Sequence, residues 1–345
     1  MKPAHVLIAR LDNTGDVLLA GPAVRAVAAG ARRVTFVSST GGREAAALLP
    51  GVDDILEFDA PWVGFRPPAV EPAAIDGFER ALSRAGIDAA FVLTSSHQSP
   101  LPLALLLRVA GVAWIGASSV DYPGSLLDLR RTPIASEHEV ERSLALVAAG
   151  GYRLPSDDDG ALALRGPLPM WRPFERPYVV VHPGASIPAR GYDADRAAAV
   201  VDLLVDDGWC VAVTGGCDER SLTGTVAGVP RPNVRDIAGD TDLSGLAGVM
   251  AGAAAVVCGN TGPAHLAAAV GTPVVSIFAP VVPAGRWRPW RVPTVLLGAQ
   301  DIECAGCRAR TCPVPMQPCL AAVTPAVVAN AVGALVSRSE EVRAS

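Results

Sequence analysis

The sequence predicts an α/β protein of two similar halves, each a parallel sheet flanked by helices. Three observations carry that expectation. Short apolar runs rich in Val, Ile and Leu alternate with segments of helical spacing, the pattern of parallel strands joined by right-handed crossovers. The pattern stops at a proline-rich stretch between Arg165 and Pro177, which reads as a linker, and then restarts. The 345 residues also exceed the roughly 250–300 at which single cores stop growing.

In the first half, Val6–Ala9 reads as a buried parallel strand, and Asp12-Asn13-Thr14-Gly15-Asp16 is turn chemistry behind it. Val17–Ala29 has helical spacing, kinked or restarted at Pro22. Strands follow at Val34–Val37, Ile55–Phe58, Ala89–Leu93 and Ala113–Gly116. Helices are expected at Gly42–Leu49, Phe78–Ala85, Leu101–Ala110 and Glu137–Gly150. In the second half the strands are Tyr178–Val181, Cys210–Thr214, Ala254–Cys258 and Val274–Phe278. Helices are expected at Ala194–Asp206, Glu219–Ala227, Leu243–Met250 and Pro263–Val270. The domains are then 1–165 and 178–325, with a C-terminal helix and tail at 326–345. Two Rossmann-like halves facing each other would hold a ligand between them, beyond the carboxyl ends of their strands.

Composition narrows the chemistry. Of 29 Lys and Arg residues only Lys2 is lysine, which excludes a Schiff-base lysine in the core and a P-loop. A net charge of −5 and 5% aromatics argue against a nucleic-acid groove. Leu243–Gly285 carries no Asp, Glu, Lys or Arg, but Gly259-Asn260-Thr261-Gly262-Pro263 and Gly271-Thr272-Pro273 interrupt it, so no single apolar helix of about 20 residues fits there. The apolar run Val6–Ala9 is too short for a signal-peptide core. A cytoplasmic protein with reduced cysteines is expected.

Five features carry chemistry. Gly15-Asp16 closes the loop after the first strand, where a carboxylate could take a proton from an attacking hydroxyl. The alternative is an N-cap aspartate, and Asp12 competes for the catalytic role in the same loop. Cys258-Gly259-Asn260-Thr261-Gly262-Pro263-Ala264-His265 is a strand end, a tight turn and a helix start; its free amides suit a phosphate, with His265 in the first turn. His182-Pro183-Gly184-Ala185-Ser186 ends another strand, with Arg190 following as a fork for a phosphate oxygen. Thr214-Gly215-Gly216 ends a third, with Glu219 placed for ribose hydroxyls. One nucleotide diphosphate would account for these last three together. Finally, Cys304, Cys307, Cys312 and Cys319 have the spacing of a structural metal knuckle, or form a loop of unpaired thiols. Cys210, Cys217 and Cys258 read as core.

These residues resemble a known family. Ile8-Ala9-Arg10-Leu11-Asp12-Asn13-Thr14-Gly15-Asp16-Val17-Leu18-Leu19, with Pro22 and Arg25, resembles the amino-terminal motif of glycosyltransferase family 9, the ADP-heptose heptosyltransferases. His182–Ser186 and Gly259–Ala269 resemble its donor-site motifs, and Gly271-Thr272-Pro273 and the cysteine cluster also resemble many members. The resemblance implies a GT-B fold, an amino-terminal acceptor half and a carboxy-terminal nucleotide-sugar half. It implies inverting transfer without a metal or other cofactor. Asp16 would be the base. Ser186 and Arg190 would hold the diphosphate, Glu219 would lie near the ribose, and the amides of Thr261, Gly262 and Ala264 would stabilise the ADP leaving group. Thr214, Gly215, Asn260 and Pro263 complete the expected donor site.

Asn260 stands where members usually carry Asp, Arg190 where they carry Lys, and Tyr192 where Trp is common. Asn keeps hydrogen bonding but removes a negative charge beside the phosphates, which leaves the donor sugar open. The expected partners are an ADP-sugar and a glycan, glycolipid or small-molecule acceptor. No nucleic acid and no transmembrane segment are expected, with room for peripheral membrane association. Competing functions are a GT-B nucleotide-sugar epimerase and a non-catalytic nucleotide-sugar-binding protein. No Gly-x-Gly-x-x-Gly follows the first strand, which disfavours a dehydrogenase.

Overall fold

The computed structural model describes residues 4–64, 67–95 and 97–344; Lys2 lies outside them. The chain divides into two compact units, Met1–Arg165 and Gly166–Ser345.

Unit 1 holds strands β1 (His5–Ala9), β2 (Arg33–Ser38), β3 (Asp54–Glu57), β4 (Ala89–Val92), β5 (Trp114–Ser118) and β6 (Leu129–Arg131). They form one parallel sheet in the order β3-β2-β1-β4-β5-β6. Its helices are α1 (Thr14–Leu19), α2 (Gly21–Ala28), α3 (Arg43–Leu48), α4 (Pro72–Ala85), α5 (Leu101–Val109) and α6 (Glu139–Ala149). The break expected near Pro22 lies at Ala20, and Pro22 sits in the first turn of α2, where no amide bond is lost. Helix α4 starts earlier than its apolar spacing suggests and stops at Gly86, whose φ of 63° favours glycine. The core is aliphatic, with Leu7, Ala90, Val92 and Ile115 buried, plus a Phe58–Phe78 stack at 4.0 Å.

Unit 2 repeats the plan. Strands β7 (Tyr178–His182), β8 (Cys210–Val213), β9 (Val234–Asp236), β10 (Ala255–Gly259), β11 (Val274–Ile277) and β12 (Thr294–Leu297) run parallel in the order β12-β11-β10-β7-β8-β9. Its helices are α7 (Ala194–Asp206), α8 (Arg220–Ala227), α9 (Leu243–Ala251), α10 (Gly262–Ala269), α11 (Ala284–Trp287), α12 (Pro318–Ala321) and α13 (Pro325–Ala344). Val328, Val332 and Leu335 of α13 are buried in this unit's core.

The proline-rich stretch that reads as a linker is packed on unit 2. Phe174 is buried with Arg235 stacked over its ring at 5.1 Å, and the Pro169 carbonyl lies so close to Gly248 of α9 that a Cβ there would overlap it. Among the described residues no helix is long and apolar enough to cross a membrane.

Each sheet reverses its winding once, between β1 and β4 in unit 1 and between β7 and β10 in unit 2. Loops leaving the carboxyl ends of such a strand pair diverge and open a crevice, the place where doubly wound sheets bind ligands.

Candidate functional site

The β1/β4 crevice of unit 1 is filled by a charge cluster centred on Arg10. Arg10 follows β1 directly, and its guanidinium is buried. Its Nε lies 2.7 Å from Asp12 Oδ2; Nη2 donates to Asp16 Oδ1 at 2.7 Å and to Ser95 Oγ at 2.8 Å; Nη1 donates to Glu139 Oε2 at 3.1 Å. Gln98 Nε2 donates to Asp12 Oδ1 at 2.6 Å. Arg142 Nη1 stands 3.7 Å from the other Glu139 oxygen. Burial pushes the Asp12 carboxyl up to about 6 despite Arg10, with the Asp16 charge adding to the rise. The Arg10 guanidinium, facing three carboxylates, is held above its usual range although burial opposes this.

The structure answers the capping alternative for Asp16 and separates the two aspartates by exposure. Asp16 is the third residue of α1 and does not cap it: the N-cap is Asn13, and the Asp16 carboxylate turns to Arg10. Asp12 has both oxygens engaged and a side chain only 10% exposed, whereas the Asp16 side chain is 24% exposed. Asp16 is thus the most exposed carboxylate of this cluster. The loop is pinned from β2 by Ser39 Oγ, which donates to the Asp12 carbonyl at 2.9 Å, and by Thr14 Oγ1, which donates to the Gly41 carbonyl at 2.9 Å.

The β7/β10 crevice of unit 2 gathers the remaining candidates. His182 ends β7 and is buried, with Nδ1 3.0 Å from Thr214 Oγ1; burial pushes its pKa down to about 4, so the ring is neutral. Its Nε2 lies 3.9 Å from Glu219, a polar contact rather than an ion pair. Glu219 accepts the Gly216 N–H at 2.8 Å and lies against Gly184, where any Cβ would overlap its carboxylate. A Cβ at Gly215 would come 2.8 Å from Thr223. The glycines of both loops are therefore what let Glu219 stand between β7 and β8.

Ser186 is exposed on the loop after β7, and Arg190 closes a short 3-10 turn there, its Nη1 3.5 Å from the Asn260 carbonyl. Arg190, His182 and Gly259 line one small pocket. Asn260 is buried; its Nδ2 donates to the Ala279 carbonyl at 3.4 Å, and its Oδ1 has no protein partner, nor has the buried Thr261 Oγ1. Thr261 is the N-cap of α10, with no side-chain bond to the helix, and Gly262 and Pro263 form its first turn. His265 is buried inside that turn rather than lying open to solvent.

The four clustered cysteines line a second small pocket together with Ala189 and Gln317. Cys304 and Cys307 are exposed, Cys312 is half-buried and Cys319 is buried, and all are reduced. Burial and the neighbouring thiols push the Cys319 thiol up. Among the described residues no three His, Cys, Asp or Glu side chains converge as a metal site. The segment also fastens the Arg190 turn: the Ala189 N–H donates to the Arg310 carbonyl at 2.9 Å, and Gln317 Nε2 donates to the Ala189 carbonyl at 2.7 Å. Cys210 and Cys258 are core, and burial pushes the Cys258 thiol up to about 12. Cys217 is not core; it opens an exposed 3-10 turn beyond β8.

Arg10, Ser95, Gln98 and Glu139 are site residues that motif reading does not assign. One signal was available: an arginine set directly behind an apolar strand must be buried, and a buried arginine needs carboxylates.

Comparison with known proteins agrees with this architecture. The chain is 29% identical to lipopolysaccharide heptosyltransferase 1 of Pseudomonas aeruginosa over 319 residues, 89% of this chain and 87% of that one. The solved E. coli ADP-heptose lipopolysaccharide heptosyltransferase II superposes with a TM-score of 0.74 at 20% identity, covering 97% of this chain and 99% of the other. E. coli heptosyltransferase WaaC with ADP gives 0.67 at 20% identity, covering 98% of each. The fold is GT-B. The model of glycosyltransferase family 9 (heptosyltransferase) matches residues 76–317, and on that match this chain is a glycosyltransferase belonging to that family.

Proposed function

We propose that this chain moves a heptose from an ADP-sugar to a hydroxyl of a glycan, glycolipid or small molecule, with inversion at the anomeric carbon and without a metal. Residues 1–165 bind the acceptor and 178–325 the donor, with 326–345 as the closing helix and tail. Asp16 takes the proton of the acceptor hydroxyl. That oxygen attacks the anomeric carbon from the side opposite the diphosphate, the bond from the anomeric carbon to the phosphate oxygen breaks, and ADP leaves with the electron pair. Ser186, Arg190 and the amides at the start of α10 receive the charge that builds on the leaving group. Thr214, Gly215 and Glu219 border the ribose, and Asn260, Pro263 and His265 shape the turn around the phosphates. The names of relatives such as lipopolysaccharide heptosyltransferase 1 and lipooligosaccharide heptosyltransferase 2 favour a saccharide acceptor.

One observation carries the donor assignment: Asn260 Oδ1 and Thr261 Oγ1 are buried without protein partners beside Arg190 and a helix start. Buried polar atoms are nearly always paired, so two orphans in one crevice call for a polar ligand. The test is a thermal-shift and calorimetric series of ADP, ADP-heptose, UDP and GDP. It is followed by ADP release from ADP-heptose over a panel of saccharide acceptors, with the product anomer read by NMR. ADP at 100 times its Kd should stabilise the protein by about 2.7 kcal/mol. Tighter binding of UDP or GDP than of ADP, or a product with retained configuration, overturns the reading.

A further inference from the structure

We propose that Arg10 is the positioning residue of the transfer, holding the Asp16 carboxylate in one orientation, and that buried Asp12 and Glu139 serve to fix Arg10 rather than to react. The inference rests on the reading of Asp16 as base.

An aspartate on the first turn of a helix can swing through its side-chain rotamers, and a base that swings spends little time aligned with its hydroxyl. Here Asp16 Oδ1 is tied to Nη2 of a guanidinium that has no freedom of its own. Nη2 also donates to Ser95, Nε faces Asp12 and Nη1 donates to Glu139, so three edges of the planar group are fixed from the loop after β1, the loop after β4, and α6. Asp12 is in turn gripped by Gln98, and Glu139 faces Arg142. Oδ2 of Asp16 is left for the acceptor.

The arrangement also sets charge. A single Arg–Asp pair would hold the carboxylate as a satisfied anion and a poor base. In this cluster two further carboxylates share the same cation, with Arg142 the next positive charge. His138, buried at the start of α6, accepts the Val140 N–H at Nδ1, 3.2 Å away. When Asp16 takes up the acceptor's proton its negative charge is neutralised, and Arg10 stays paired to Asp12 and Glu139. The cation therefore need not move during the reaction, the preorganised condition that keeps such steps fast.

The test uses the full chain and four variants: Asp16→Asn, Arg10→Lys, Arg10→Gln and Glu139→Gln. Folding is followed by thermal melting, ADP Kd by calorimetry, and turnover by ADP release from ADP-heptose with a saccharide acceptor or with water. Arg10→Lys keeps the charge and loses the fork: kcat should fall about tenfold, with the acid limb of the kcat/KM profile unmoved. Arg10→Gln should lower kcat by at least about 100-fold and move that limb to higher pH, because the cation that favours the anion is gone. Glu139→Gln removes a competing anion with little change of shape, and the limb should move to lower pH. ADP Kd should stay within about twofold throughout.

A structural role alone would alter melting and leave the limb where it is. Folded Arg10→Gln with an unmoved limb overturns the inference. If that variant does not fold, an unmoved limb in Glu139→Gln overturns it instead. Full turnover by Asp16→Asn, or no ADP release by the unmodified chain with any acceptor or water, overturns the functional reading itself. An inactive Asp16→Asn beside unaffected Arg10 variants overturns only the part assigned to Arg10.

Discussion

At the β1/β4 crevice of unit 1 the charged side chains face one another as ion pairs, although Arg10 Nε and Glu139 Oε1 make no hydrogen bond, whereas at the β7/β10 crevice of unit 2 the buried Asn260 Oδ1 and Thr261 Oγ1 face neither a hydrogen-bond partner nor a charge of opposite sign. The sheets have equivalent strand orders and the crevices the same origin, so topology does not explain the difference. What differs is what each must receive. A carboxylate that removes a proton has to be aimed and charged before the acceptor arrives, and a self-paired cluster does that. A diphosphate brings its own charge and acceptor atoms, so its crevice keeps donors such as the Thr261 hydroxyl in reserve, while Asn260 Oδ1, an acceptor, is left for a donor group of the ligand.

Asp16→Asn should cut kcat at least about 100-fold while ADP Kd changes less than about twofold. Steady-state kinetics beside calorimetry reads both, and a large change in Kd would mean the two sites are not separable in this way. Arg190→Ala is the reciprocal case: ADP binding should weaken about 10- to 100-fold by calorimetry, from loss of one charge-assisted contact.

The buried titratable groups of the two crevices should also oppose each other. His182 is held near 4, well below its ordinary 6.5, so the unfolded chain takes up a proton that the native chain refuses. Its contribution to stability is full above pH 6.5 and is lost as pH falls through about 4. Asp12 is pushed from 3.8 to about 6, so its contribution is full below pH 3.8 and is lost as pH rises through about 6. Melting temperature against pH should therefore flatten on its acid side in His182→Gln and steepen there in Asp12→Asn. The smallest expected effect belongs to Gln317→Ala, which frees the Ala189 carbonyl but leaves Arg190 in place. ADP Kd should rise about two- to fivefold with little change in melting.

Much of the fold is legible in the sequence because interior strands of parallel sheets are buried on both faces and so are spelled in apolar residues, as in Tyr178-Val179-Val180-Val181. The strands that escape notice are β6, β9 and β12. They are edge strands of three or four residues, and Leu129-Arg130-Arg131 or Val234-Arg235-Asp236 carries no apolar signal. The donor-side candidates are legible because glycine, proline and a polar turn cluster within a few residues of a strand end. Arg10 and Glu139 escape for the opposite reason: they meet across 129 residues of sequence, and no local spacing encodes that contact. The four cysteines illustrate a third case. Their spacing suggests a metal knuckle or a loop of thiols, and nothing in it encodes the backbone and side-chain bonds by which their segment holds the turn that carries Arg190.

The strap formed by the proline-rich stretch matters to anyone recombining such proteins. Its Pro169 carbonyl nests against Gly248, and its Phe174 lies under Arg235, so strap and groove are matched within one unit. A chimera joined after residue 177 would pair one parent's strap with another parent's α9, and any side chain at position 248 would collide with the incoming backbone. A junction between Arg165 and Gly166, where the two compact units divide, keeps the matched pair together.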